Sequence, residues 1–200
     1  MSYHFAEKGA PAGAPMIFTF HGTGGDEQQF HGFAGQIRPD AHVISPRGDV
    51  SEHGANRFFK RTGEGVYDMD DLAQRTETMA AFIADQKERT GSPTVAGLGY
   101  SNGANILAAV MLKHPDLFDR AAWLHPLIPW DPAPQPGLAG KEILISAGRR
   151  DPICPAPLTQ SLADYVAKQH SALSVIWHEG GHEILQVEVD ALSSFLKNAS

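Results

Sequence analysis

Short apolar runs alternate with amphipathic stretches along almost the whole chain, and that alternation narrows the fold to one class. Met16-Ile17-Phe18-Thr19-Phe20 and residues 41–45, 94–98, 121–124, 142–146 and 173–177 are short and apolar enough to be buried strands. Residues 27–37 between the first two predict a helix, with Asp26 as its N-cap. From Met69 to about Arg89, Leu72, Thr76, Met79 and Ile83 recur at spacings of 4, 3 and 4, which marks one face of a helix. Residues 104–112 predict another. Leu158, Leu162 and Tyr165 mark a fourth, and Leu185, Val189, Leu192 and Leu196 a closing one. Strand–helix alternation of this kind predicts an α/β protein with a mostly parallel sheet of about six or seven strands flanked by helices. The 200 residues suffice for a single domain, 1–200.

Two stretches break the alternation. Residues 46–68 and 125–140 are long connections rich in Pro, Gly and aromatic side chains. Both leave a strand at its carboxyl end, where ligand sites lie in open parallel sheets, so they are the expected walls of a site. Neither is long enough for a separate cap domain.

One of the strand–helix junctions carries chemistry. Gly99-Tyr100-Ser101-Asn102-Gly103 fits G-x-S-x-G, with an apolar strand before it and a helix after it. A serine on so sharp a turn projects its hydroxyl above the sheet edge. By itself the run is equally well read as a glycine-rich turn with an incidental serine. A nucleophilic serine needs a base, and the base needs an orienting acid. In this architecture the chain order is Ser, then Asp or Glu, then His. Asp151 follows the strand at 142–146 by a short turn, and His182 follows the strand at 173–177 by a Gly-containing turn. Asp131 and His178 compete for these roles. Asp131 lies deep in a Pro-rich loop, and His178 sits at the strand end, where a polar surface residue is expected. Asp151 and His182 are therefore preferred.

Acyl transfer also needs donors for the developing oxyanion. The backbone N–H of Asn102 is one, and the glycine-rich loop His21-Gly22-Thr23-Gly24-Gly25 after the first strand offers Thr23 as the second. Phe58 and Phe59 are candidates to line an acyl or aromatic pocket, with Arg57, Lys60 and Arg61 nearby to meet an anionic substrate. The alternative is that the phenylalanines anchor the loop to the core while the charges are solvated.

Two other patterns point elsewhere. His178-Glu179-Gly180-Gly181-His182 matches H-E-x-x-H, but zinc binding by that motif needs a helix, and two glycines in a helix interior cost about 1 kcal/mol each. Position 188, where one zinc-protease pattern has a third histidine, is Glu188, and no glutamate follows it. Gly97-Leu98-Gly99 with Gly103 departs from the dinucleotide spacing G-x-G-x-x-G and leaves Asp151 and His182 without a role. No metal and no cofactor are expected.

The net charge of −7 argues against nucleic acid or an anionic membrane as the main partner; the acyl-transfer constellation makes a small-molecule ester the expected one. The start of the chain has neither a basic segment nor a long apolar core, which is unlike a signal peptide. The lone Cys154 excludes an internal disulfide and suits a reducing compartment, so a cytoplasmic location is expected.

Six segments together resemble the small, cap-less α/β-hydrolases of the phospholipase/carboxylesterase group, relatives of the acyl-protein thioesterases. They are His21-Gly22-Thr23-Gly24-Gly25-Asp26-Glu27, Ser45-Pro46-Arg47-Gly48, Arg57-Phe58-Phe59, Gly65-Val66-Tyr67-Asp68, Gly99 to Asn105, and Asp151-Pro152-Ile153-Cys154-Pro155. Within the group the chain is most similar to the bacterial branch associated with methylhydroquinone resistance. The resemblance implies the α/β-hydrolase fold, a Ser101–Asp151–His182 triad and oxyanion amides at Thr23 and Asn102. It also implies esterase activity on short or medium acyl esters, often in a homodimer, and makes Ile153 a further candidate for the substrate pocket. The thioesterases usually have glutamine where this chain has Asn102, which weakens any transfer of thioester specificity.

Overall fold

The computed structural model describes residues 3–197. Its strands and helices, in chain order, are β1 (Phe5–Lys8), β2 (Met16–Phe20), α1 (His31–Ile37), β3 (His42–Pro46), β4 (Val50–Glu52), β5 (Ala55–Arg57), β6 (Arg61–Gly63), β7 (Val66–Tyr67), α2 (Met69–Thr90), β8 (Val95–Tyr100), α3 (Asn102–Lys113), β9 (Arg120–Leu124), β10 (Glu142–Gly148), α4 (Ala156–Lys168), β11 (Ala172–His178) and α5 (Gln186–Lys197). Seven strands form one sheet in the order β1-β3-β2-β8-β9-β10-β11. All neighbours run parallel except β1, which pairs antiparallel with β3 at the edge.

Successive strand residues point to opposite faces, so each buried strand feeds two cores. On one face Phe18, Phe20, Trp123 and Ile145 pack with Leu72, Met79 and Ile83 of α2, Ile106 and Val110 of α3, and Leu162 and Val166 of α4. On the other, Ile17, Val43, Leu98 and Leu144 meet Phe33 and Ile37 of α1 and Leu192 and Leu196 of α5. Burying each large apolar side chain contributes about 1.5–3 kcal/mol. α2 begins where Asp68 accepts the N–H of Asp71, and it ends at Gly91 in the left-handed conformation (φ 65°).

Three local expectations need correcting. Asp26 does not cap a helix at 27: its carboxylate accepts from Gln28 N, residues 27–30 form turns, and α1 starts at His31. Glu27 is drawn instead into a bidentate pair with Arg47, 2.5 and 2.6 Å, while Gln29 takes the N–H of Gly22. β1, absent from the sequence reading, is a short, half-buried edge strand. Residues 46–68 are not a plain loop but two hairpins, β4–β5 and β6–β7.

Candidate active site

Ser101 sits between the end of β8 and the first residue of α3 with φ 52° and ψ −118°, a conformation that costs about 1–3 kcal/mol for a residue with a side chain. The surroundings hold it there: Ser101 N–H donates to Leu124 O (2.8 Å), and its carbonyl accepts from Asn105 N (2.9 Å). The turn closes only with glycine on both sides. A Cβ on Gly99 would lie 2.5 Å from Gly103 O, and one on Gly103 would collide with the carbonyls of Phe20 and His21. The serine hydroxyl is thereby aimed away from the sheet, beside the N-terminus of α3.

The carboxyl ends of β10 and β11 deliver its partners. His182 Nε2 lies 2.8 Å from Ser101 Oγ, and His182 Nδ1 lies 2.7 Å from Asp151 Oδ2. Tyr100 OH donates to the carbonyl of His182 (2.7 Å), which ties the base-bearing loop to the elbow strand. Burial pushes the Tyr100 phenol up to about 12, so it remains a donor. Asp151 is sealed from solvent. Its Oδ1 accepts from the backbone N–H groups of Ile153 (2.8 Å) and Cys154 (2.9 Å). Burial alone would raise its pKa, but these bonds and those from His182 and His125 outweigh it and hold the carboxyl below its ordinary value.

The polar chain continues into the core. His125, wholly buried at the end of β9 with φ 50°, places Nδ1 2.9 Å from Asp151 Oδ2 and Nε2 3.0 Å from Glu188 Oε1. Glu188, on the buried face of α5, also receives Ser146 OH (2.6 Å) and Leu185 N–H (2.7 Å), and His178 Nε2 lies 3.2 Å from it. Burial favours neutral forms here too. Even so, the close His125–Glu188 pairing, with the bonds Glu188 accepts from Ser146 and Leu185 and the bond of His125 to Asp151, lowers the Glu188 pKa and raises that of His125.

Two sets, His125–Asp151–His182 and His125–His178–Glu188, bring potential metal-ligand atoms within 4.8 Å of one another among the described residues. The second contains the first histidine of the H-E-x-x-H run. His178 Nδ1 accepts from Gly180 N (3.0 Å), so that nitrogen is not free to bind a metal, and Nε2 carries the ring proton 3.2 Å from Glu188. The run itself is a bend after β11, not a helix.

In front of Ser101 and His182 lies a pocket of about 310 Å³, with Thr23, Arg57, Tyr67, Asn102, Ile153 and Cys154 in its wall. Asn105 closes it from above. Its Nδ2 donates to Tyr67 OH (2.8 Å), its Oδ1 accepts from Leu127 N (2.7 Å), and Tyr67 OH donates to Leu127 O (2.9 Å). The two long connections are thus pinned together over the site.

Residues 51–188 match the dienelactone hydrolase family. A Bacillus subtilis (strain 168) protein named "Putative hydrolase MhqD" is 36% identical, with 98% of each chain covered. The chain belongs to the dienelactone hydrolase family. Two solved structures are also similar to it. The protein Atu2452 of Agrobacterium tumefaciens (strain C58), of unknown function, has TM-score 0.93 and 48% identity, covering 99% of this chain and 97% of its own. A Bacillus cereus carboxylesterase has TM-score 0.90 and 29% identity, covering 99% and 95%. This dienelactone hydrolase family member is therefore a hydrolase with the α/β-hydrolase fold.

Within that family setting the structure sorts the sequence candidates. Ser101, Asp151 and His182 come together, and Asp131 lies exposed in the loop after β9, lining a separate cleft with Trp130. Thr23, Asn102, Arg57 and Ile153 reach the pocket. Phe58 and Phe59 do not: both are fully buried, Phe58 against Phe20 and His21, Phe59 against Tyr67, so they anchor the loop rather than line the site. Lys60 points to Asp71 (3.8 Å), whereas Arg61 joins the pocket wall. His178 is not a surface residue but is buried against Glu188. Asn102 offers more than a backbone amide, because its Oδ1 accepts Phe58 N–H (2.7 Å) and fixes the pocket loop to the elbow helix. Sequence reasoning assigns no role here to His125, Glu188 or Asn105; Glu188 appears only as a position in a rejected zinc pattern and Asn105 only as the end of a family segment. Among the described residues no helix is long and apolar enough to cross a membrane.

Proposed function

We propose that the chain is a serine carboxylesterase that hydrolyses small or medium acyl esters through an acyl-enzyme. One observation carries this reading: Ser101 Oγ, His182 and Asp151 form an unbroken hydrogen-bonded line, 2.8 and 2.7 Å, that opens on the pocket. The carboxylate accepts from Nδ1–H of His182, which leaves the Nε2 lone pair facing the serine hydroxyl. His182 removes the proton as Ser101 attacks the ester carbonyl. The amides of Asn102, at the N-terminus of α3, and Thr23, at the loop after β2, receive the oxyanion. His182 then protonates the leaving alcohol, and a water molecule takes the same route to release the acyl group. The similarity to a carboxylesterase and the modest pocket volume both support this substrate class.

Arg57 is engaged rather than free. Its Nη1 donates to Thr23 Oγ1 (2.7 Å) and lies 3.6 Å from Glu52, and Nε donates to Phe59 O (3.2 Å). In this reading it holds the Thr23 loop in register. An ester preference for a free carboxylate on the substrate would instead assign it to anion binding.

Ser101→Ala is expected to abolish turnover of p-nitrophenyl acetate and butyrate together with labelling by a fluorophosphonate. Labelling that persists in this variant sinks the nucleophile assignment. A panel of oxygen esters and thioesters of graded chain length then separates carboxylesterase from thioesterase.

A further inference from the structure

We propose that the buried His125 is an imidazolium throughout the neutral pH range, held between Asp151 and Glu188, and that its charge sets how strongly Asp151 acts on the base His182. His125 and Glu188 are then positioning residues, acting through Asp151 without touching substrate.

The charge follows from counting donors. A neutral imidazole has one N–H and one lone pair, yet both ring nitrogens of His125 lie against carboxylate oxygens with no exposure to water: Nδ1 is hydrogen-bonded to Asp151 (2.9 Å), and Nε2 is in ion-pair contact with Glu188 (3.0 Å) without hydrogen-bond alignment. A neutral ring would aim its lone pair at one of them. Either carboxylate could relieve that only by carrying a proton, and both are already surrounded by donors. Asp151 receives two backbone N–H groups and His182 Nδ1. Glu188 accepts Ser146 OH and Leu185 N–H, and His178 Nε2 lies 3.2 Å from its Oε2. The proton therefore belongs to His125.

The groups that face this ring come from every neighbouring element. Tyr100, at the end of β8, lies 5.8 Å away ring to ring, His178 at the end of β11 5.4 Å, and His182 5.1 Å. Asp151 and the Cys154 thiol, which donates to His125 O (3.2 Å), come from the loop after β10. Glu188 comes from α5, and the exposed Glu183 from the loop between. With Asp151 and Glu188 ionised and His125 charged, the buried set keeps one net negative charge, which His182 neutralises when it takes the serine proton. The cation screens Asp151 at rest, so it opposes premature protonation of the base, and it locks the Oδ2 rotamer that His182 needs.

The effect on turnover rests on the Ser101–His182–Asp151 reading, whereas the charge of His125 does not, and the two are measured separately. In ¹⁵N NMR of the wild-type protein, His125 is expected to show both ring nitrogens protonated between about pH 5 and 8. A ring with one bare nitrogen in that range overturns the proposal, whatever the enzyme hydrolyses. His125→Asn keeps a donor toward Asp151 and removes the charge. Its kcat/KM profile is expected to have an acid limb displaced by about one unit to higher pH, so that activity near pH 6 falls roughly tenfold further than the alkaline plateau does. Equal loss at all pH values, with the limb unmoved, marks a merely structural role and overturns the tuning. Glu188→Gln is expected to return His125 to an ordinary titration in the NMR spectrum; an imidazolium that persists there also counts against the proposal.

Discussion

One hydrogen-bonded chain of side chains runs from the pocket to the core, and its two ends are built on different principles. The pocket end is Ser101 and His182, partly open to solvent, Ser101 bonded to His182 alone and His182 bridging Ser101 and Asp151. The core end is Asp151, His125, Glu188 and His178, nearly or fully closed to water, where the carboxylates are hydrogen-bonded and the Nε2 atoms of both histidines lie in ion-pair contact with Glu188. The open end leaves room for a substrate, a water molecule and a proton in transit. The closed end fixes charges, since a buried ionised group is tolerable only with a full set of partners. His178 and His182, four residues apart in one run, belong to opposite ends. Gly180 and Gly181 make the bend that separates them, which is why a zinc-like spacing occurs without a zinc-like helix.

The sharpest way to break this comparison is to truncate the two residues where the ends meet. Asp151→Ala and His182→Ala are each expected to lower kcat by about 10⁴ or more, since either removes the oriented base. Their stabilities should diverge. Asp151→Ala leaves the His125 charge facing a gap and is expected to cost about 3–5 kcal/mol in urea unfolding. His182→Ala removes a solvent-accessible ring and should cost about 1 kcal/mol or less. Equal destabilisation by the two would show that the division into an open and a closed end is wrong.

The same division governs what could be read from the sequence. Ser101, Asp151 and His182 are legible because Ser101 immediately follows a strand and the other two follow theirs by a short turn, and strand ends announce themselves through apolar runs and turn residues. His125 also follows a strand, yet it reads only as the start of a Pro-rich connection. Glu188 carried a faint signal, since it precedes Leu192 and Leu196 at spacings of four on the buried face of α5. A carboxylate there demands partners, but those come from β9, β10 and β11, and no local pattern pairs them. The sheet itself was legible apart from β1, whose four residues are only half buried at an edge. The start of α1 was misread for a long-range reason, the pull of Arg47 on Glu27. The aromatic pair Phe58–Phe59 went the same way: its apolar character was plain, but not which side of the loop faced the core.

A smaller effect is expected at the roof of the pocket. Asn105→Ala strands the Leu127 N–H and removes a donor from Tyr67 OH, so about 1–3 kcal/mol of stability should be lost. Because these bonds join two loops rather than support the reacting groups, the expected kinetic change is a raised KM with kcat altered less. A fall in kcat alone would place Asn105 at the closed end, as a support for Ser101.

The mildest test reads the closed end through pH. Asp151 and Glu188 have depressed pKa values, so their contribution to stability is present above about pH 4.5 and is lost as pH falls through their folded values. His125 is shifted the other way: its contribution is complete below about pH 6.5 and disappears as pH rises through its raised folded value. Wild-type Tm should therefore be flat between these windows and decline on both sides. In Glu188→Gln the acid-side decline should be shallower and the alkaline-side decline lost, because one depressed carboxyl is gone and His125 no longer has its second negative partner. Glu27, held down to about 2 by Arg47, keeps some acid-side decline in every variant. His182→Ala, at the open end, should keep the wild-type shape. If His182→Ala rather than Glu188→Gln flattens the curve, the charges that stabilise this fold lie on the pocket side of Asp151 and not behind it.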